Sequence, residues 1–360
     1  MDIDFWKGRK VFITGHTGFK GSWLSLWLQR LSAQVVGYSL PPPTQPSLFE
    51  AAKVGAGMVS IAGDVRDYRL LHASIEQHRP EIIFHMAAQS VVRQSYSDPV
   101  ETYATNVMGT VNVLEALRQL AGPVAFINVT TDKSYENKEW IWGYRETDRL
   151  GGHDPYSNSK ACSELVTQSY RDSFFAAAAA GKNSGKSIAT ARAGNVIGGG
   201  DWTRDQLIPD IVNAFHAGRP VVLRNPQAVR PWQFVLDCLG GYMTLAEKLT
   251  IEGGHYAGAW NFGPRLEDTL PVQAIVEQMI KTWPGPASWS QDPGSHPHEA
   301  GCLRLDTSKT ALQLGWTPRL VLTESLDWIT DWYGRYFHGH DAKALCLEHI
   351  ARFESKQART

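Results

Sequence analysis

The sequence predicts an α/β fold: a doubly wound parallel sheet followed by a smaller C-terminal lobe. Three observations predict it. Short apolar, β-branched runs alternate with helical stretches through the first half of the chain. A glycine-spaced turn, Gly15-His16-Thr17-Gly18-Phe19-Lys20-Gly21, separates the first strand from the first helix. After Ala193 the clean alternation stops. Alternation at this spacing implies crossover connections, which place parallel strands beneath helices on both faces.

The elements follow in order. Lys10–Thr14 is a β-branched and aromatic run that ends at Gly15, and Ser22–Leu28 is apolar enough for a buried helix. Strand, glycine turn and helix together form a Rossmann-type unit. Gly15 permits the tight turn, Gly18 lets a pyrophosphate approach the backbone, and Gly21 lets helix and strand pack closely. The helix N-terminus then offers free N–H groups and partial positive charge to the phosphates. Strands are expected at Ala33–Tyr38, Met58–Ala62, Glu81–His85, Val124–Val129 and Ser187–Ala193, with helices at about 100–120 and 157–176. Residues 1–193 form the expected dinucleotide-binding domain. Residues 194–360 form mainly a substrate domain, with a return to the first near 230–262.

A chain of 360 residues with 43% hydrophobic and 20% charged residues is long enough for two lobes sharing a cleft. Its net charge of −1 argues against a nucleic-acid partner. No run approaches the roughly 18 apolar residues of a membrane span, and MDIDFWKGRK lacks the order of a signal peptide. A soluble, cytoplasmic protein is expected. Cys162, Cys238, Cys302 and Cys346 form no C-x-x-C pair, so neither a disulfide framework nor a metal site is suggested. "AGKNSGKS" (180–187) has alanine where a phosphate-binding loop needs glycine and reads as a solvated loop. "SHPHEAG" lacks the register of a zinc motif.

The chemistry gathers at strand ends. "TTDKSY" delivers Thr131, Asp132 and Lys133 where the fifth strand stops, and ligands on such sheets bind beyond the carboxyl ends of the strands. Downstream, Tyr156 and Lys160 are four apart and share a helix face. An ammonium beside a phenol favours the phenolate, so Tyr156 is a candidate base.

The glycine turn, the strand alternation and this Tyr–Lys pair resemble the extended short-chain dehydrogenase/reductase (NAD-dependent epimerase/dehydratase) family, which acts mostly on nucleotide-linked sugars. The likeness covers essentially the whole chain, through "GHTGFKGSWLSLWL", "FHMAAQSVVRQSYSDPVETYATNVMGT", "NKEWIWGYRE", "DPYSNSKACSELV", "RAGNVIGGGDW", "RNPQAVRPWQFVLD", "WNFGP" and "HPHEAGCLRLDTSK". It implies that Thr131 helps bind the sugar's 4-hydroxyl while Tyr156 takes its proton and Lys160 supports Tyr156. Family members that eliminate water carry reactive groups just after that threonine. The dTDP-glucose 4,6-dehydratases have Asp-Glu there, whereas this chain has Asp132-Lys133. The inverting UDP-N-acetylglucosamine 4,6-dehydratases also have Thr-Asp-Lys, but with the tyrosine close behind. Here Tyr156 lies 24 positions after Asp132, across an aromatic insert, which favours a CDP-linked sugar. The implied substrate is CDP-glucose and the implied reaction a 4,6-dehydration for deoxysugar and polysaccharide (O-antigen) biosynthesis. The alternatives are a UDP-N-acetylglucosamine or dTDP-glucose 4,6-dehydratase or a nucleotide-sugar epimerase on the same fold; the intact Thr131–Tyr156–Lys160 set argues against a non-catalytic binding protein.

The resemblance further implies cofactor contacts from Gly15, Thr17, Gly18, Phe19, Gly21, Asp64, Val65, Ala87, Ala88, Gln89 and Asn106, besides Tyr156 and Lys160. It implies substrate contacts from Gln89, Ser90, Asn195, Arg224, Asn225, Arg230 and His298, with Arg230 on a phosphate and Arg224 and Asn225 near the base. The ribose-reading acid usual about 20 residues after the glycines is missing; Ser39 is the nearest polar group. NAD is the expected cofactor because the reaction is internally redox-neutral. A homodimer or homotetramer, packed through the helices at about 100–120 and 157–176, is the expected assembly.

Overall fold

A computed structural model describes residues 2–176, 185–294 and 300–356. Most of "AGKNSGKS" and "SHPHEAG", including His298, lies outside them. The first strands are β1 (Lys10–Thr14), β2 (Gln34–Ser39), β3 (Val59–Ala62), β4 (Ile82–His85), β5 (Val124–Val129) and β6 (Lys186–Ala193), within a residue of the expected spans. Next come β7 (Asn195–Ile197), β8 (Val221–Leu223), β9 (Val229–Phe234), β10 (Gly258–Phe262), β11 (Thr269–Pro271) and β12 (Trp289–Gln291). Seven strands form one parallel sheet in the order β10-β6-β5-β4-β1-β2-β3.

Strand order reverses between β1 and β4, which opens a crevice beyond their carboxyl ends. Gly15 follows β1 with φ +78°, and a Cβ there would lie 2.7 Å from the Ala87 amide nitrogen. Only glycine lets the two loops that border the crevice touch. Val11, Phe12 and Ile13 are all fully buried, as expected for a strand covered on both faces. One face packs on helices Phe19–Arg30 and Val235–Glu252. On the other, Leu71, Val113 and Leu117 of helices Tyr68–His78 and Gly109–Gln119 pack against Phe126 and Ile188.

The helix expected at about 100–120 is not uniform. It starts at Pro99, capped by Asp98, widens to a π turn at Ala104–Met108 and resumes at Gly109–Gln119. Asn106 sits in that turn with its side-chain amide bonded outside the helix, to Gln89 and Ser159; such bulges frequently mark functional regions. Helix Pro155–Tyr170 starts where the sequence dictates. Asp154 accepts from the Ser157 N–H at 2.9 Å, and Pro155 occupies the first turn, where its missing N–H costs nothing.

The chain does not divide cleanly at 193/194. Helix Val235–Glu252 packs on the main sheet and β10 joins its edge beside β6, the expected return. Helix Ala342–Glu354 also comes back to the first lobe: Trp27 Nε1 donates to Glu354 at 3.0 Å, and Trp23 stacks on His349. The second lobe includes the β11-β9-β7 sheet, the β8-β12 pair and helices Leu207–His216, Val272–Thr282 and Leu322–Phe337. Among the tryptophans, Trp6, Trp23, Trp27, Trp260, Trp328 and Trp332 are core residues.

Candidate active site

Two connected hollows meet at the end of β5. The cleft over β1 and β4, about 470 Å³, is lined by the glycine turn, Ser39, Asp64, Val65, the loop from Ala87 to Ser90, and Tyr156. The cavity between the lobes, about 680 Å³, is lined by Arg224, Asn225 and Arg230. Lys133, Asn195 and Trp232 line both.

The cleft fits a dinucleotide. A Cβ on Gly21 would lie 2.2 Å from the Gly15 carbonyl oxygen, so Gly21 is fixed by packing. Gly18 differs: a Cβ there would meet only Gly15 O, at an ordinary 3.5 Å. Packing alone would tolerate alanine, and the bare backbone leaves room on the cleft side. Helix Phe19–Arg30 begins there with no side-chain cap, leaving its first N–H groups for an anion. Thr17 donates to the Leu40 carbonyl at 2.9 Å and shares a 2.8 Å hydrogen bond with Ser39, which fixes the wall where an acidic ribose reader usually stands.

Several expected contacts act indirectly in the free chain. Asn106 is buried behind the Ala87–Gln89 loop: its Oδ1 accepts from Gln89 N, and its Nδ2 donates to Gln89 O and Ser159, each at 2.9 Å. It shapes the wall rather than lining it. The Gln89 side chain bonds Thr102 and the Val91 amide. The Asp64 carboxylate is held by Arg66, with Nε at 2.8 Å.

The catalytic group is compact. Thr131 caps the turn Asp132–Ser134, and its hydroxyl donates to Asp132 Oδ1 at 3.0 Å. Lys133 Nζ lies 6.0 Å from the Tyr156 ring centre. Asp132 is 1% exposed, and burial raises its pKa against the opposing pull of Lys133, Thr131 and Arg230. Its Oδ2 has no hydrogen-bond partner among the described residues, although Asp132 lines the cleft.

Lys160 donates to the Val129 carbonyl at 3.1 Å. Burial lowers its amine to about 7, helped by the charge of Lys20 and opposed by Glu164. Burial also raises the Tyr156 phenol, with Asp132 and Asp154 adding to the rise and Thr131 opposing it. In the free chain burial thus works against the phenolate that a neighbouring ammonium and a positive nicotinamide are expected to favour.

Arg192, which opens the motif RAGNVIGGGDW, lines neither hollow. It is 3% exposed and bonds Glu164 at 2.8 Å and the Tyr135 hydroxyl at 2.9 Å. Glu164 also accepts from Thr130 and, at 2.7 Å, from Thr190. Thr130 and Tyr135 flank the Thr131–Ser134 turn, so one buried ion pair pins both of its ends. Glu164 lies four residues after Lys160, and that spacing was the available signal. Asn137 and Glu139 of the aromatic insert bond the 301–302 backbone, and Trp140 stacks on Tyr144 at 5.2 Å. The insert thereby becomes a wall of the larger cavity.

The family model described as GDP-mannose 4,6 dehydratase matches residues 12–328. The chain belongs to this family. It is 51% identical over 359 residues to a CDP-glucose 4,6-dehydratase of Salmonella typhimurium, a match that covers the whole of both chains. In fold it is similar to a UDP-glucose-4-epimerase of Stenotrophomonas maltophila (TM-score 0.78, 20% identity, 92% of this chain and 100% of that one). It is also similar to a dTDP-glucose 4,6-dehydratase of Bacillus anthracis solved with NAD (TM-score 0.74, 19% identity, 94% and 100%).

Proposed function

We propose that the chain converts CDP-glucose to CDP-4-keto-6-deoxyglucose and water, with NAD as a resident cofactor. The observation that carries this reading is Asp132: a sealed carboxyl whose pKa burial raises, lining the cleft beside Thr131 and Tyr156, with one oxygen unpartnered among the described residues. An epimerase needs no such acid. The full-length relationship to a CDP-glucose 4,6-dehydratase supports the nucleotide choice.

Thr131 and Tyr156 hold the C4 hydroxyl, and Tyr156 takes its proton. NAD, held by the glycine turn and the Ala87–Gln89 loop, would supply the hydride acceptor for C4 and the hydride source for C6, and its positive charge would ease ionisation of the Tyr156 phenol. With C4 a ketone, the C5 proton is acidic and the C6 hydroxyl can leave. Asp132 protonates the departing oxygen, and Lys133 removes the C5 proton or stabilises the enolate as an ammonium. Arg230, against Asp132 and lining the larger cavity, suits a phosphate; Arg224 and Asn225 face the base.

The same reading makes the protein a cytoplasmic supplier of deoxysugar for polysaccharides such as O-antigen. It assembles as a homodimer or a dimer of dimers. Val100, Met108, Leu165 and Phe174 are exposed along the helices at 99–119 and 155–175, an apolar face suited to a second copy. The test is incubation of purified protein with NAD and CDP-, dTDP- or UDP-glucose. A 4-keto-6-deoxy product, formed fastest from the CDP sugar and without net release of reduced cofactor, is expected. A C4 epimer, or preference for another nucleotide, would overturn the reading.

A further inference from the structure

Away from the catalytic turn, three charged side chains from distant segments meet on the wall of the larger cavity. Arg93 belongs to the short helix Val92–Ser97 of the first lobe, Arg224 follows β8 in the second, and Asp205 lies on the loop before helix Leu207–His216. All three line the cavity. Arg93 Nη1 and Arg224 Nη1 both donate to the same oxygen, Asp205 Oδ1, at 3.3 and 3.2 Å.

A purely structural role explains this poorly. The side chains are 25–38% exposed, and ion pairs that open to water add little stability. Both contacts are longer than the roughly 2.7–2.9 Å usual for charged partners. Asp205 adopts φ +60°, a left-handed backbone that few residues other than glycine tolerate, and this places its carboxylate between the two cations. One carboxylate oxygen is thus shared by two guanidiniums from opposite lobes.

We propose that Arg93 is a further substrate-binding residue, closing with Arg224 on the diphosphate of the nucleotide sugar, and that Asp205 holds the pair in the free chain until the diphosphate displaces it. The inference rests on the nucleotide-sugar reading of this cavity. A diphosphate spreads its negative charge over several oxygens and can receive a guanidinium from each lobe at once. Arg224 has donors on two edges, so its Nη1 can meet the anion while the other edge faces the base. Arg230 lines the same cavity from β9. The diphosphate then meets cations of both lobes, with Arg93 the first lobe's contribution, and ligand binding draws the lobes together over the catalytic turn. Asp205 stays nearby and repels the ligand it has made room for.

The test is calorimetric titration of the full chain with CDP, UDP and dTDP, using wild type, Arg93→Gln, Arg93→Lys and Asp205→Asn. Because the contact is to the diphosphate, Arg93→Gln should weaken each nucleotide that binds by the same factor, roughly tenfold, with Arg93→Lys in between. Asp205→Asn should tighten binding roughly threefold by removing the competing charge. Arg93→Gln within twofold of wild type, or Asp205→Asn binding more weakly, overturns the inference even if CDP-glucose is turned over normally. A preference for UDP or dTDP with the same two shifts overturns the CDP reading and leaves the clasp standing.

Discussion

Glu164–Arg192 beneath the catalytic turn and Asp205 with its two arginines across the cavity are built from the same charges, yet they can do different work. The first pair is 3–4% exposed and its carboxylate accepts from three residues. The second set is about a third exposed, and its two arginines share one oxygen of Asp205. Removing charges from water is expensive unless they are paired, so a buried pair whose carboxylate accepts from three residues cannot easily let go. A half-wet pair can exchange partners at little cost. Burial therefore separates a device that fixes geometry from one that can hand its cations to a ligand.

The largest expected effects lie in the chemistry that the buried side supports. Tyr156→Phe and Lys160→Met should each slow turnover by on the order of 10²–10⁴, because they remove the proton acceptor at C4 or its support. Asp132→Asn and Lys133→Met should slow loss of water by a similar factor while the cofactor still binds. Product formation and cofactor binding measured side by side check this. Near-wild-type turnover in both variants of the Asp132–Lys133 pair would remove it from the mechanism.

Next is Glu164→Gln, which strands the Arg192 guanidinium without its counter-charge. A loss of about 3–5 kcal/mol in stability is expected, read from the denaturant midpoint at unchanged slope. A loss below about 1 kcal/mol would erase the contrast between the two charge sets. Burial opposes ionisation of Glu164, yet Arg192, Thr130 and Thr190 together hold its pKa below the ordinary carboxylate value. Its charge belongs to the folded state at neutral pH, and the variant removes a real ion.

These two charge sets also mark how far the sequence was legible. The strands, the glycine turn and the Thr131, Tyr156 and Lys160 group announce themselves locally, through apolar runs, a tight turn and a four-residue spacing. The Glu164–Arg192 pair joins a helix to a strand 28 residues on, and nothing local distinguishes Arg192 from a cation facing a ligand. Arg93 and Asp205 are 112 residues apart and meet only because the lobes close on one another. The π turn at Ala104–Met108 was hidden for a similar reason: an uninterrupted helical pattern does not show that the Asn106 amide bonds Gln89 and Ser159. Polar groups that act through distant partners carry little sequence signal.

A smaller effect concerns pH. The Lys160 amine stands near 7 in the folded chain against an ordinary 10.5. Between those values the unfolded chain holds a proton that the folded chain lacks, so stability rises with pH, by at most about 1.4 kcal/mol per unit. The charge-burial penalty is fully present below the window. Stability of wild type relative to Lys160→Met should therefore increase from roughly pH 7.5 to 9.5. A flat or falling difference would show that the amine stays charged in its buried place.

The smallest effect is the most direct test of the contrast. Asp205→Asn removes the acceptor of both arginines, yet it should change folding stability by less than about 1 kcal/mol in either direction. Solvent can take over the exposed guanidiniums, and the side chain that replaces the carboxylate is of similar size. The same neutralisation at Glu164 leaves a cation with no water to turn to. Thermal or denaturant midpoints of the two variants, measured together at one salt concentration, compare the pairs on one scale. A loss at Asp205 as large as that at Glu164 would mean that the cavity-wall carboxylate braces the lobes permanently. An anionic ligand would then have to bind beside it, because a brace of that strength could not be displaced.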